Sequence, residues 1–558
     1  MDRKATTPLD IFSAGAVAHR RSPPLWQVVL LLLVLTLLVR LPFFFPAVLN
    51  WDESTFILFG QNILNGHLPL VDMWDFKPPI GFLVFAGIIA LLGKTIFAVR
   101  LAGALFVAAA AVLVYLIGRH TWRWPVGLAA AVLFIIMATL MPSGTAAVML
   151  EHLAIVPLLG AVWLLISRRP SAGVCFLAGA LVMLATMIRL NLALVAVLTG
   201  IYMLMVPSLR PFAASVRRSL AFAAGNVFIL ALTFLPYLLA NQQQVWWSTL
   251  VVGPLHYNSN DSYMFKSVDS QVEVVLGGLF NLPRTLATVL SGVPFVNGEV
   301  SGRPLLDTFA PSLIALLLAA AAVGILLMVF RWRSADESQR RAVALIGLML
   351  IATEISVILT GTFSFHYLIQ VVPFLCLFAG LSISELAAGR AWPAGALAAV
   401  VFIVLASAPL FGEYALLVGR ARAGQQLAHG PAYEVVAYLR EDGGMEQPIY
   451  LMDDQIAYWF LGQEPLSRVT AHPSTIVNMG LLQVSGATDP TPEGQLALIL
   501  DQRPTYIVTR ADLWYFADHP ELMQYLNETL AADYELVRQI DVPLEASTMD
   551  IYRRVVSP

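Results

Sequence analysis

Between an apolar run that ends at Arg40-Leu41-Pro42 and another that begins near Ile80, the sequence reads Trp51-Asp52-Glu53-Ser54-Thr55-Phe56. A helical stretch to Asn65-Gly66 follows, then Asp72-Met73-Trp74-Asp75-Phe76-Lys77-Pro78-Pro79. Carboxylates of this kind can abstract a proton from a nucleophile. A lysine among them can hold a phosphate by a charge-assisted contact. Trp51 and Trp74 could keep water away from such a site. Each residue also has a plainer reading. Asp52 could cap a helix with Glu53 in its first turn, since Phe56, Phe59 and Ile63 recur at helical spacing. Lys77 could be an interfacial anchor whose stem lies along apolar surface.

More ionisable residues stand at the ends of apolar runs, where a charge is costly and therefore marks a candidate site. Glu151 and His152 open one run; a charge near a helix start is the alternative for Glu151. Arg189 interrupts the apolar stretch 172–206, where a cation could grip a phosphate or merely mark a turn. Arg100 begins another run, as a site residue or an anchor. His366-Tyr367 and His256-Tyr257 could line an acceptor groove, although aromatic residues at such depth also serve as belt anchors. Glu354 lies within an apolar run with no partner evident from the sequence.

These residues must be positioned by membrane helices. Of the 558 residues, 58% are hydrophobic and only 12% charged, more apolar surface than one globular core can bury. A net charge of −3 without a basic cluster excludes nucleic-acid binding as the main role. Cys175 and Cys376 lie in separate apolar runs and suggest neither a disulfide nor a metal ligand. At about 20 residues per crossing, hydropathy predicts about eleven spans: 25–43, 98–118, 125–142, 150–167, 172–188, 190–206, 219–240, 308–330, 342–360, 367–385 and 393–411. The run Ile80–Leu92 is short for a crossing. Placing it in the outer interface leaves Arg119, Arg123, Arg168, Arg169, Arg210, Arg217, Arg218, Arg331, Arg333, Arg340 and Arg341 on the cytoplasmic side, as positive-inside topology requires. Arg3, Lys4, Arg20 and Arg21 precede a first span without a cleavage site and fall on the same side. The segments 44–97, 143–149, 241–307 and 361–366 are then outside.

After Phe411 apolar density drops. Helix-like stretches (Ala432–Asp442, Pro520–Tyr534) alternate with strand-like ones (Ile449–Met452, Tyr506–Thr509, Met549–Arg553), which predicts a small soluble α/β domain over 412–558, outside the membrane. No glycine-rich phosphate loop is present, so a nucleotide-bound donor is not indicated.

The order of an acid pair just after the first span, an amphipathic helix ending in Asn-Gly, and then Asp75-Phe76-Lys77-Pro78-Pro79 resembles the bacterial branch of the protein O-mannosyltransferase and aminoarabinose-transferase superfamily. The resemblance implies the GT-C fold, an all-α polytopic bundle with interfacial helices. It implies that Asp52 is the catalytic carboxylate with Glu53 beside it, that Lys77 contacts a lipid phosphate, and that Glu151, Arg100 and His366-Tyr367 match further site positions. The chain departs from the pattern at two places. In aminoarabinose transferases a Glu directly precedes the lysine, where this chain has Phe76 with Asp75 one position earlier; where relatives carry a Tyr, it has Phe56.

The expectation is an integral-membrane glycosyltransferase of a bacterial inner membrane, with its N-terminus cytoplasmic, a transmembrane domain over 1–411 and a periplasmic domain over 412–558. It would move a sugar from a polyprenyl-phosphate donor, with inversion, to an envelope acceptor. Asp52 and Glu53 would be catalytic, and Lys77, Arg189 and Arg100 would hold the donor phosphate. Asp75, Glu151, His152, His256, His366 and Tyr367 are further candidates. No metal is required, although Asp52, Glu53 and Glu151 could bind a divalent cation if they converge. The alternative is a transporter or flippase of a lipid-linked saccharide. Such a bundle should show internal repeats and midplane charges, whereas no repeat is evident and the polar residues collect toward one face.

Overall fold

The computed structural model describes residues 22–555 apart from 142–143, 169, 206–211, 258–262, 291–301, 362, 389–391, 445–446, 511–512 and 543–546. Arg3, Lys4, Arg20, Arg21, Arg169 and Arg210 therefore lie outside the described residues. The chain opens with α1 (Leu25–Arg40), α2 (Trp51–Leu64), α3 (Pro79–Leu92), α4 (Ile96–Thr121) and α5 (Trp124–Leu140). It continues with α6 (Leu150–Ser167), α7 (Ala172–Thr186), α8 (Ala193–Met205) and α9 (Phe212–Leu239). Longer helices at Tyr263–Leu290, Gly302–Arg331, Glu337–Ile358, Val372–Ala388 and Trp392–Arg422 complete the bundle.

Among the described residues, seven helices are long and apolar enough to cross a membrane, and five shorter apolar helices accompany them. This is a multi-pass membrane protein. The eleven expected spans fall on those seven helices and on four of the shorter ones. The remaining helix, α3, has 14 residues, about 21 Å at the helical rise, against a hydrocarbon core of about 30 Å.

Small residues let the bundle close. A methyl group on Gly179 of α7 would lie 2.0 Å from the Phe222 carbonyl oxygen of α9, and one on Gly225 would lie 2.0 Å from the Phe176 oxygen. The two backbones touch reciprocally, a contact that side chains larger than hydrogen would prevent. The segment 241–307, read from the sequence as a loop, contains the helix Tyr263–Leu290. Asp269, Glu273 and Arg284 lower its hydropathy and so hide it from a span search. It packs on the Gly302–Arg331 helix, where Ser312 Oγ donates to the Gly278 carbonyl at 3.0 Å.

The tail is a mixed α/β unit. Strands β1 (Ile449–Leu451), β2 (Tyr506–Arg510), β3 (Tyr534–Val542) and β4 (Ser547–Arg554) form one sheet in the order β1-β2-β4-β3. The β1–β2 pair is parallel and the other two are antiparallel. Strand β3 was not expected, because an irregularity between Leu536 and Arg538 breaks the period-two pattern that would have revealed it.

The tail is packed onto the membrane bundle along the segment that joins α1 to α3. Ala47 N–H donates to the His429 carbonyl (2.7 Å) and Trp74 N–H to the Arg468 carbonyl (2.7 Å). Arg468 donates back to the Leu70 carbonyl (3.1 Å), and Asn62 and Asn65 both donate to Glu464. One apolar core runs without interruption from Val28 and Phe56 in the bundle to Val435, Leu451 and Trp459 in the tail.

Candidate active site

The site begins at the N-terminus of α2. Asn50 Oδ1 accepts from the Asp52 backbone N–H at 2.9 Å and caps the helix. The capping role open to Asp52 in the sequence is therefore filled by Asn50, and the Asp52 carboxylate is left for other partners. Lys77 reaches it from the turn before α3, whose start is fixed by Pro78-Pro79. Lys77 Nζ lies 3.1 Å from Asp52 Oδ1 and 3.0 Å from Asp75 Oδ2. Asp75 thus binds the lysine from two positions earlier in the chain. The ammonium also lies over the Phe56 ring at 5.5 Å and the Phe76 ring at 5.1 Å. Phe56 and Phe76, the two departures from the family pattern, supply π faces to this cation.

Glu151 at the start of α6 meets Arg189 at the end of α7, with Arg189 Nε 2.7 Å from Glu151 Oε1. The Arg189 guanidinium stacks over the Tyr367 ring at 4.6 Å. His366, the neighbour of Tyr367, points Nε2 toward Asp52 Oδ2 at 3.7 Å, and the Ser364 hydroxyl lies 2.7 Å from its Nδ1. Asp52, Asp75, Lys77, Glu151, Arg189, His366 and Tyr367 are thereby brought into one buried cluster.

A further member comes from the tail. His472 Nε2 lies 3.7 Å from Asp52 Oδ1, with Ser474 Oγ 3.1 Å from its Nδ1. Thr55, one turn into α2, donates to the Ala471 carbonyl at 3.0 Å and fixes the adjoining backbone. No sequence motif surrounds His472. The only local signal is a histidine before Pro473, where a 3₁₀ turn starts.

Burial works against the charge on Asp52, but Lys77, with His472, His366 and Arg189, overcomes it and holds the carboxyl well below the usual carboxylate range. Burial likewise works against the ammonium of Lys77, but Asp52 and Asp75 outweigh it and raise its pKa. Burial lowers the pKa of His472 and His366 below 6.5, against the opposing pull of nearby carboxylates. At neutral pH the cluster therefore holds an ionised Asp52, a charged Lys77 and two neutral imidazoles.

Other candidates lie elsewhere. Glu53 faces away from Asp52: its carboxylate receives Arg100 Nη2 at 2.7 Å and the Val148 N–H at 2.8 Å. Arg100 spends its remaining donors on the Phe43 and Pro46 carbonyls at 2.7 and 2.6 Å. The expectations of a catalytic Glu53 and a phosphate-binding Arg100 thus meet a different geometry. The two residues form a buried pair that pins the loop leading to α2, a placement that helical phase dictates because successive residues point about 100° apart. His152 is turned into the bundle, with Nδ1 accepting from the Met149 N–H and Nε2 beside the Ala138 carbonyl. His256 is bonded one turn back along the chain, to the Val252 carbonyl. Glu354 meets Gln271 of the Tyr263–Leu290 helix. Asp52, Glu53 and Glu151 do not converge, each being paired with a different cation. Among the described residues no group of three or more His, Cys, Asp or Glu side chains is arranged to hold a metal.

Solved structures share this architecture. ArnT from Cupriavidus metallidurans, in its apo state, superposes with a TM-score of 0.55 at 14% identity, covering 94% of this chain and 97% of ArnT. The same enzyme bound to undecaprenyl phosphate gives 0.53 with the same coverage. The Archaeoglobus fulgidus oligosaccharyltransferase in its apo form gives 0.50 at 13% identity, covering 88% of this chain and 70% of that one. No protein-family model matches the chain, and no curated protein matches it in sequence. The chain has the GT-C fold of these membrane glycosyltransferases.

Proposed function

We propose that this protein is an inverting glycosyltransferase that moves a sugar from a polyprenyl-phosphate carrier to an envelope acceptor on the periplasmic face of a bacterial inner membrane. The observation that carries the reading is the ionised carboxylate of Asp52, bounded by Lys77 at 3.1 Å and by two neutral histidines. The fold shared with ArnT, which has been solved with undecaprenyl phosphate bound, supports the carrier class. The cytoplasmic assignment of the arginine-rich helix ends and the periplasmic assignment of the tail rest on positive-inside topology.

A carboxylate held this far below its usual range is a weak base. The carrier phosphate removes that restraint by competing for Lys77. When the phosphate takes the ammonium, with Arg189 as a second cation, Asp52 loses its strongest stabilising charge and its proton affinity rises. The acceptor hydroxyl then attacks the anomeric carbon and its proton passes to Asp52. The bond from that carbon to the phosphate oxygen breaks with its electron pair remaining on the phosphate. The extra negative charge develops against Lys77 and Arg189. Attack opposite the leaving group inverts the anomeric configuration.

An acceptor has an approach from the side of the tail. A cleft of about 1420 Å³ lies between residues 46–51 and the sheet, lined among others by Trp51, Tyr433, Glu434, Gln539 and Trp514. Trp51, next in sequence to Asp52, forms part of its wall and stacks on Trp514 at 5.3 Å. Planar polar groups beside aromatic faces suit a saccharide-bearing acceptor.

The test is transfer by the purified full chain in nanodiscs, with a panel of polyprenyl-phosphate sugars and envelope glycolipids, and the product anomer assigned by NMR. Inverted product that disappears in Asp52→Asn supports the proposal. Retained configuration, or full transfer by Asp52→Asn, rejects it.

A further inference from the structure

A second polar cavity sits at the end of the bundle remote from Asp52. It measures about 250 Å³ and lies where the last turns of α4, α6 and α8 meet the first turns of the Glu337–Ile358 helix. Helix α6 carries Glu151 at its start and Ser167 at its end. At the helical rise this places the cavity about 24 Å from the site just described, close to one membrane thickness.

The lining divides by chemistry. Leu165, Ile166, Met203 and Leu345 make an apolar wall, while His120, Arg168 and Arg341, with the hydroxyls of Ser167 and Ser338, make a cationic and hydrogen-bonding one. Among the described residues no carboxylate lines it. Two arginines elsewhere at this end, Arg123 and Arg331, both grip Glu385, at 2.7 and 2.8 Å. Arg341, by contrast, has a buried Nε with no hydrogen-bond partner among the described residues.

From this we infer that the cavity is a binding site for the phosphate of an anionic membrane phospholipid. Arg341 and Arg168 pair with the phosphodiester, His120 and the Ser338 hydroxyl complete its hydrogen bonds, and the apolar wall takes the first methylenes of an acyl chain. A leucine and isoleucine wall serves a lipid and is wasted on a free anion, which favours phospholipid over inorganic phosphate as the source. Basic pockets between membrane helices are suited to such headgroups. The site is independent of the transfer chemistry, since none of its residues belongs to the Asp52 cluster.

The test uses the delipidated full chain in neutral detergent. Native mass spectrometry would follow retention of phosphatidylglycerol, with phosphatidylcholine and inorganic phosphate as separate arms. Phosphatidylglycerol should be retained in preference to phosphatidylcholine. Retention should fall roughly fivefold for each guanidinium removed, in Arg341→Gln and in Arg168→Gln. Arg168 is exposed, so Arg168→Gln should fold even if Arg341→Gln does not, and Arg341→Lys should restore part of the preference. Displacement by millimolar inorganic phosphate, sensitive to the same substitutions, would keep the phosphate assignment and move its source to the solvent. Equal retention of both lipids, or retention unchanged in Arg168→Gln and Arg341→Gln, would overturn it.

Discussion

His472 Nε2 lies 3.7 Å from Asp52 Oδ1, so the tail contributes a side chain to the cluster built around the start of α2. The two residues come from opposite ends of the chain. Their contact makes the candidate site a property of the whole protein.

If Asp52 is the base, Asp52→Asn should lower the transfer rate by about 10²–10⁴ while carrier binding persists. Asn50 remains to cap α2, so the variant should express and melt like the parent. Lys77→Ala should show the opposite balance, weakening carrier binding by roughly 1.5–3 kcal/mol for a lost charged contact. Transfer kinetics and carrier titration on both variants check this; equal effects on binding and rate in the two would contradict it.

Acidification should loosen the tail. His472 and His366 have folded pKa values below 6.5, so the unfolded or detached state binds more protons. Their contribution is therefore fully present above pH 6.5 and is lost as pH falls from there through the folded values. Hydrogen exchange at Ala471 and Thr55 should quicken over that window, and His472→Gln should reduce the dependence. An identical pH profile in His472→Gln would remove the assignment.

The Glu53–Arg100 pair should behave as structure and not as chemistry. Arg100→Met should destabilise by roughly 3–5 kcal/mol, because it leaves a buried carboxylate unpaired. The double variant Glu53→Gln with Arg100→Met should cost less than the sum of the single changes. Thermal unfolding in detergent measures this. Additive losses would show that the two residues act separately.

Orientation can be read with impermeant thiol reagents, because both native cysteines are buried. Cysteines placed at Asn527 in the tail and at Arg333 at the far end are both at exposed positions. Asn527→Cys should label in intact spheroplasts, and Arg333→Cys only after the membrane is opened. The reverse pattern would invert the proposed topology.

Hydropathy located the helical spans well, because lipid demands long apolar runs that composition displays directly. The Tyr263–Leu290 helix escaped because its charged face dilutes that signal, and β3 escaped because a bulge shifts its alternation. Within the site, Lys77 beside Asp52 was legible from the short segment that joins them. Glu53 and Arg100 misled for a related reason: nearness in sequence to Asp52, or to the mouth of a span, does not say which way a side chain faces. His472 was illegible, since nothing local to Ala471-His472-Pro473 records that the tail folds back onto α2. It shows in the cross-chain hydrogen bonds, those at Ala47, Thr55 and Trp74 among them.

That fold-back also sets an order of events during biosynthesis. The ribosome releases α2 and the Asp52–Lys77 pair long before residue 472, and at about 5–20 residues per second the interval is tens of seconds. Throughout it the membrane helices can insert and pack, but the site lacks His472 and the backbone that Thr55 holds. A chain whose tail stays on the wrong side of the membrane would remain in that unfinished condition. On the topology and function proposed above, completion of the Asp52 cluster waits on delivery of the tail to the side of the membrane where Asp52 lies, so that an incorrectly inserted copy would be inert.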